Sequence, residues 1–229
     1  MLPPSTSSPP HITKHGHACI SLHRDGRSLV IDPGAFTDLS VALDGAEHVL
    51  VTHEHADHLD AAPVLQWLND HPEATLTAPP AVISALGAAS ENELSAQLLV
   101  AEPGDELERA GFRIRVLGGQ HAVIHPQIPV VANLGYLIDE RLYHPGDAYV
   151  VPELTGLDTL LVPVSAPWAR LAETLDFIIA VRPRQVIPIH DALLSGVGRG
   201  VYLKQVEAFA QRYGAELTVL TEGEKTWMR

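Results

Sequence analysis

The chain has 229 residues, 46% of them hydrophobic and 19% charged, which is an ordinary balance for a folded protein with a sizeable core. Its formal net charge of −13 argues against a surface that grips nucleic acid or an anionic membrane through its overall field. A lone cysteine, Cys19, excludes an intramolecular disulfide and a cysteine-rich zinc site.

Residues 1–10, rich in Pro and Ser, read as a flexible leader, with neither the basic nor the apolar region of a signal peptide. No apolar run nears the ~20 residues that span a bilayer. The expectation is a cytoplasmic protein whose residues 11–229 form one domain.

Ala18–His23 and Ser28–Ile31 flank Asp25-Gly26 and predict a hairpin. Cys19 within the first of these runs reads as a small buried residue. A short helix is expected over Leu39–Leu43, a strand over His48–Thr52 and a helix over Ala61–His71, with Val64, Leu65 and Leu68 at helical spacing. Thr75–Ala78 reads as a strand, and Pro79-Pro80 opens a helix reaching about Ala89.

Gln97–Ala101, Glu106–Arg109 and Phe112–Leu117 are expected to share an antiparallel sheet. Leu134–Ile138 and Arg141–His144 form a second hairpin about Asp139-Glu140. Leu157–Val162, Val186–Ile189 and Leu217–Leu220 read as strands, and Leu171–Val181 and Val201–Tyr213 as helices. Two similar halves packed face to face, helices outside, is the preferred architecture.

Val51-Thr52-His53-Glu54-His55-Ala56-Asp57-His58-Leu59 carries three histidines and an aspartate in six positions at the end of an apolar strand. Folding does not ask for that density of imidazole, whereas transition-metal ions do. His53 and His55 leave one face of an extended segment and can chelate one ion. If the chain turns next, Asp57 and His58 swing toward a neighbouring one. His121, Asp147 and His190, each just after an apolar run in a Gly- or Pro-rich context, supply further donors at one rim of a sheet sandwich.

This order, His-x-His-x-Asp-His followed by His121, Gly146-Asp147 and His190, resembles the metallo-β-lactamase-fold superfamily of hydrolases. Gly16-His17-Ala18 and the turn Ile31-Asp32-Pro33-Gly34 are similar to its ascorbate-phosphate-lactonase-like branch. The resemblance implies an α/β, four-layer αββα sandwich. It also implies two divalent ions per chain, zinc first, with manganese or iron as alternatives. His53, His55 and His121 would hold one ion, Asp57, His58 and His190 the other, and Asp147 would bridge them.

A hydroxide shared by the ions would then cleave an ester, lactone or phosphoester of a small molecule, with Asp57 passing a proton to the leaving group. An anionic substrate is compatible with the local charge of the ions. Histidine at position 55 departs from the oxygen-reducing di-iron members, and the absence of a ligand cysteine departs from the antibiotic-cleaving ones. The alternatives are a mononuclear-iron persulfide dioxygenase and a non-catalytic scaffold stabilised by metal. No nucleic-acid or membrane partner is expected, and homo-oligomers are compatible with the sequence.

Other residues carry two readings. Asp32 either orients a ligand histidine or shapes a turn. His17 either lines the site or belongs to a hairpin. His125 either meets substrate or sits idle in a loop, and His144 reads as a structural neighbour of Asp147. Trp168 either walls the site or packs the core, and Tyr149 is a candidate hydrogen-bond donor to a reacting oxygen. Arg199 and Lys204 either pair with a phosphate or carboxylate or start a solvated helix. His11, His15, His23, His48 and His71 read as surface or packing residues.

Overall fold

The fold is described from a computed structural model, over residues 10–90, 93–154 and 156–228. The first half opens with β1 (His11–Gly16), β2 (Cys19–Arg24) and β3 (Arg27–Ile31), then α1 (Leu39–Ala42) and β4 (His48–Leu50). It continues with α2 (Ala61–Asp70), β5 (Thr75–Ala78), α3 (Pro80–Ala89) and β6 (Leu98–Val100). The second half contains β7 (Glu106–Arg109), β8 (Phe112–Gly118), β9 (Leu134–Ile138), β10 (Leu142–His144) and β11 (Thr159–Pro163). It ends with α4 (Leu171–Val181), β12 (Gln185–Ile189), α5 (Gly196–Arg212), β13 (Glu216–Leu217) and β14 (Lys225–Trp227).

Two seven-stranded mixed sheets result, ordered β14-β1-β2-β3-β4-β5-β6 and β13-β12-β11-β10-β9-β8-β7. Strand alternation explains how they stack. Ile12, Ile20, Leu22, Leu29 and Ile31 of the first sheet meet Phe112, Ile114, Tyr136, Ile138 and Ile187 of the second in one buried cluster between the sheets. The opposite faces are also apolar. Val30, Val49 and Leu76 pack under α2 and α3, and Leu137, Leu160 and Val186 pack under α4 and α5. Helices therefore cover both outer faces, and the layers run αββα as expected.

Both predicted hairpins form. Asp25 and Gly26 at one turn, and Asp139 and Glu140 at the other, all have positive φ, the geometry that matches a two-residue turn to strand twist. Several expectations need correction. β6 is not part of an antiparallel sheet with β7 and β8; it pairs in parallel with β5 in the first sheet. Its short apolar run cannot reveal a partner that α3 brings back from the preceding crossover.

β1 and β14, which pair with each other, were absent from the sequence reading because His11, Lys14, His15 and Lys225 break apolar alternation. α5 starts at Gly196 rather than Val201, since Ser195 caps it by accepting from Gly198 N at 3.1 Å and outweighs three early glycines. The last expected strand shrinks to Glu216–Leu217. The expected leader falls outside the described residues except for Pro10, which is buried and whose carbonyl accepts from Met228 N at 3.0 Å. No helix among the described residues is long and apolar enough to cross a membrane.

Parallel pairing decides where chemistry can sit. β3, β4 and β5 run in parallel, as do β10, β11 and β12, so loops after their C-terminal ends gather on one rim. Tyr136 Oη donates to the Val51 carbonyl at 2.7 Å, and Leu134 N donates to the Thr52 carbonyl at 2.9 Å, tying the two sheets together at that rim.

Candidate metal centre

β4 delivers Thr52 and His53 to the rim, and the chain then turns. His58 N and Leu59 N both donate to the His55 carbonyl, at 3.0 and 2.9 Å, closing one helix-like turn. This is the bend that lets the adjacent Asp57 and His58 face the same cluster. The turn is pressed against the loop after β3: Ala35 N donates to the Ala56 carbonyl at 2.8 Å and Asp60 N to the Pro33 carbonyl at 3.0 Å. Gly34 is required here, because a Cβ at that position would overlap the Asp57 carbonyl.

Three groups of donors converge, each with its donor atoms within 4.8 Å of one another. They are His53, His55 and His121; His53, His58 and Asp147; and His17, Asp57, His58 and His190. All seven residues expected as ligands fall in these groups, and His17 joins them. Asp147 lies in the middle. Its Oδ1 is 3.1 Å from His58 Nε2, and its Oδ2 is 3.4 Å from His121 Nε2 and 3.2 Å from His190 Nε2.

The donor atoms fit a metal for a specific reason. Nε2 of His58, His121 and His190 and Oδ1 of Asp147 are buried yet have no partner in hydrogen-bond geometry among the described residues. Orphaned buried polar atoms carry a cost of about 1–3 kcal/mol each unless something satisfies them. The Nδ1 atoms are meanwhile occupied: His58 donates to Asp32 Oδ2, His121 to the Ala122 carbonyl and His190 to the Ser165 carbonyl, each at 2.6 Å. A hydrogen on Nδ1 leaves Nε2 as a lone pair aimed inward, the arrangement that prepares an imidazole for a cation. For His53 the outward partner is Thr52 Oγ1 at 2.9 Å, which itself donates to Asp32 Oδ2 at 2.8 Å.

The electrostatics point the same way. Burial pulls His53 well below the ordinary histidine range, with the His58 charge adding to the effect. Burial also opposes a charge on His58, but Asp147 and Asp32 outweigh it and raise His58 well above that range. His190 is pushed up to about 9, its burial overcome by Asp147 and Asp57. Asp147 is held well below the usual carboxylate range against its burial, by His58, His121 and His190. The buried carboxylates thus call for positive charge at their centre, and divalent ions would supply it in place of protons.

The chain matches the family model described as Beta-lactamase superfamily domain over residues 11–190, from β1 to the last histidine of the cluster. A UPF0173 protein of Pyrococcus furiosus is 32% identical over 199 residues, covering 84% of this chain and 88% of its own. This chain is a UPF0173 member of the beta-lactamase superfamily.

A Mycobacterium tuberculosis relative of this UPF0173 chain is 37% identical over 196 residues, covering 83% of this chain and 88% of its own. Among solved structures, Igni18, a metallo hydrolase from Ignicoccus hospitalis, superposes with a TM-score of 0.72 at 19% identity, covering 96% of this chain and 98% of that one. YhfI from Bacillus subtilis, titled a metallo-beta-lactamase fold protein, gives 0.72 at 16% identity, with 96% and 99% covered. These likenesses establish the metallo-β-lactamase fold.

In this UPF0173 chain the remaining sequence candidates divide cleanly. Asp32 is fully buried and accepts from Thr52 N at 2.7 Å, from Thr52 Oγ1 and from His58 Nδ1, so it braces the cluster in addition to shaping a turn. Trp168 walls the centre, its Nε1 donating to Asp147 Oδ2 at 2.8 Å. His17 reaches Asp57, with Nε2 3.2 Å from Oδ2. His144 is structural as expected: Nε2 donates to the Ala18 carbonyl at 3.0 Å and Nδ1 accepts from Gly146 N at 3.2 Å.

Tyr149 is a correction. Its hydroxyl donates to the Pro163 carbonyl at 3.0 Å and meets Thr174 Oγ1 at 2.7 Å, so it is turned toward α4. Its ring packs edge-on against Trp168, with centroids 4.9 Å apart. His125 lies exposed in its loop, where Nδ1 accepts from Gln127 N at 3.2 Å, and it joins none of the donor groups. Arg199 spends its Nε on Asp191 Oδ2 at 2.8 Å, in a buried cluster where Lys14 Nζ holds Oδ1 at 2.8 Å, and Lys204 is exposed within α5.

Three supports escaped the sequence reading. Thr52 relays His53 to Asp32. Asn133, fully buried, accepts from Asp147 N at 2.8 Å while its Nδ2 donates to the Pro145 carbonyl at 2.9 Å. Ser165 contributes only a carbonyl, which no side-chain pattern betrays. Thr52, adjacent to the motif, was findable; Asn133 ends a loop of exposed and half-buried residues, just before β9, and that loop carries no periodic signal.

Proposed function

We propose that the protein is a metal-dependent hydrolase that opens an ester, lactone or phosphoester bond in a small molecule at a centre holding two divalent ions, zinc first among them. One observation carries the reading: eight histidine and aspartate side chains converge on one rim, with three imidazole Nε2 atoms and one carboxylate oxygen buried there and without a hydrogen-bond partner among the described residues. Two donor groups, His53 with His55 and His121, and Asp57 with His58, His190 and His17, are joined by a third that holds Asp147, and a donor set of this extent supports two ions over a mononuclear iron site. Relatives named UPF0173 metal-dependent hydrolase, such as one from Methanocaldococcus jannaschii at 28% identity over 228 residues, support the metal-dependent hydrolase part of the reading.

Bound divalent ions would supply an ionised water near neutral pH and a Lewis acid for the scissile oxygen. The chain does the rest. Asp147 sits between the two halves, with Oδ2 near both His121 and His190 and Oδ1 near His58, held by Trp168 Nε1–H and by the Asn133 contact to its backbone. The Asp57 side chain is 24% exposed, against 4% for Asp147, and so is the carboxylate that can take the proton of the attacking water and pass it to a leaving-group oxygen.

The loops around the cluster also present apolar side chains beside its polar centre. Val123, Val151 and Leu193 stand exposed on the loops that bear His121, Asp147 and His190, and Phe36 on the loop after β3. The two cations near His190, Lys14 and Arg199, are both spent on Asp191.

The experiment is a hydrolysis panel of lactones, thioesters, alkyl esters and phosphodiesters with zinc- and manganese-loaded protein, with His53→Ala as control. Turnover that His53→Ala abolishes supports the reading. A panel with no turnover, or turnover that His53→Ala retains, overturns it.

A further inference from the structure

His17 differs from the other buried imidazoles of the cluster in the ring nitrogen that carries its hydrogen. In His58, His121 and His190 the outward Nδ1 faces an oxygen acceptor at 2.6 Å, which puts the hydrogen there and leaves Nε2 bare. At His17 the outward group is a donor: the backbone N–H of Ala192 points at Nδ1 at 3.4 Å. A nitrogen that accepts a hydrogen bond is unprotonated, so the single hydrogen of the neutral ring sits on Nε2. That Nε2 lies 3.2 Å from Asp57 Oδ2. Nε2 with a hydrogen has no lone pair to offer an ion.

Proximity alone would make His17 a fourth donor beside Asp57, His58 and His190. We infer instead that His17 is a positioning residue, donating its Nε2–H to Asp57 Oδ2 and setting the rotation of that carboxylate toward the second ion. The inference rests on the two-ion reading above and adds to it a residue outside the expected ligand set.

The surroundings are built to hold this ring. His17 has φ 40°, a left-handed backbone conformation uncommon for a residue with a side chain. Its carbonyl accepts from His190 N at 3.0 Å, which fastens the loop after β1 to the loop after β12. The ring is buried, 3.9 Å centroid to centroid from His190 and edge-on to Phe36 at 5.2 Å. Gly16 leaves room for that loop, because a Cβ there would come within 2.8 Å of the Phe36 carbonyl oxygen. A hydrogen-bond partner one step out from a metal ligand is worth about 10–100-fold in metal affinity when it is removed.

Two substitutions separate donor from ligand. His17→Gln keeps an N–H able to reach Asp57, whereas His17→Asn suits the left-handed backbone but is too short to reach. Zinc titration of the full-length protein should show two ions in both variants. The weaker ion should be held near wild-type affinity in His17→Gln and roughly 10–100-fold more loosely in His17→Asn. In cadmium-loaded protein with isotopically labelled imidazoles, metal–nitrogen coupling should appear for His58 and His190 and be absent for His17.

Coupling to His17, equal weakening in both variants, or no weakening in either overturns the inference while leaving the two-ion centre intact. Wild-type protein that binds only one ion, or whose second ion survives Asp57→Ala unchanged, overturns the centre and this inference with it.

Discussion

Trp168 Nε1–H and Asp147 Oδ2 meet at 2.8 Å, so the carboxylate at the middle of the cluster has one oxygen pinned by an indole. The Tyr149 ring backs that indole, and the Tyr149 hydroxyl is anchored on α4 through Thr174. Trp168→Phe keeps most of the apolar wall and deletes the donor. Such a contact to a metal-binding carboxylate is worth about 10–100-fold in metal affinity or turnover. The expected outcome is a loss of that size in cobalt affinity with little change in melting temperature. Wild-type affinity in Trp168→Phe would show that the indole only packs.

Asp32 takes three hydrogen bonds inside the core, from Thr52 N, Thr52 Oγ1 and His58 Nδ1, and is itself fully buried. Asp32→Asn keeps the size and tolerates the positive φ of 54°, but sets an amide N–H against donors. Breaking such a charged network costs about 3–5 kcal/mol, and in a chain of this length each kcal/mol moves the melting temperature by roughly 2–4 °C. Calorimetry of metal-free Asp32→Asn should therefore find a drop of about 6–20 °C. A drop under about 2 °C would mean that the network is not what braces β4 at the rim.

Gly34 is the place where the turn after β3 touches the metal-binding turn most closely. A methyl group there overlaps the Asp57 carbonyl and comes within 2.6 Å of His58 N. Neither obstacle is a flexible side-chain end, so the backbone of residues 57–58 must move. With the proposed two-ion centre, Gly34→Ala should fold with its sheets intact by circular dichroism and lose the ion proposed at Asp57 and His58 while keeping the other, as read by zinc stoichiometry. Two ions at wild-type affinity would contradict the close approach.

These residues also show which parts of the fold were legible beforehand. The His53–His58 cluster and the later His121, Asp147 and His190 announce themselves because no packing requirement explains them. The hairpins at Asp25-Gly26 and Asp139-Glu140 are legible because only a few residues accept positive φ. β6 joins the parallel edge of the first sheet, and no feature within Leu98–Val100 specifies a partner so distant. β1 was hidden because its outward face is His11, Thr13 and His15, which read as polar loop until β14 is seen beside it. Asn133 and the Ser165 carbonyl act through backbone geometry, which exists only after the sheets have brought their loops together.

His48 gives the chain a pH dependence that is independent of metal. It opens β4 on the far side from the cluster, almost fully buried, with Nδ1 at 2.6 Å from Thr75 Oγ1 and Nε2 without a partner. Burial, with a smaller contribution from Arg109, lowers its pKa from 6.5 to about 3. Between those two values the unfolded chain binds a proton that the folded chain refuses. Stability is therefore full above the unfolded value of about 6.5, falls as pH drops below it, and levels off below about 3. The share due to His48 between pH 8 and pH 5 is about 2 kcal/mol. His48→Asn keeps an N–H for Thr75 and cannot be protonated. Urea unfolding of metal-free protein at those two pH values should show the variant losing about 2 kcal/mol less than wild type on acidification. Parallel losses in the two proteins would place the acid sensitivity elsewhere, with His23 next in line, since burial and His11 lower it to about 4.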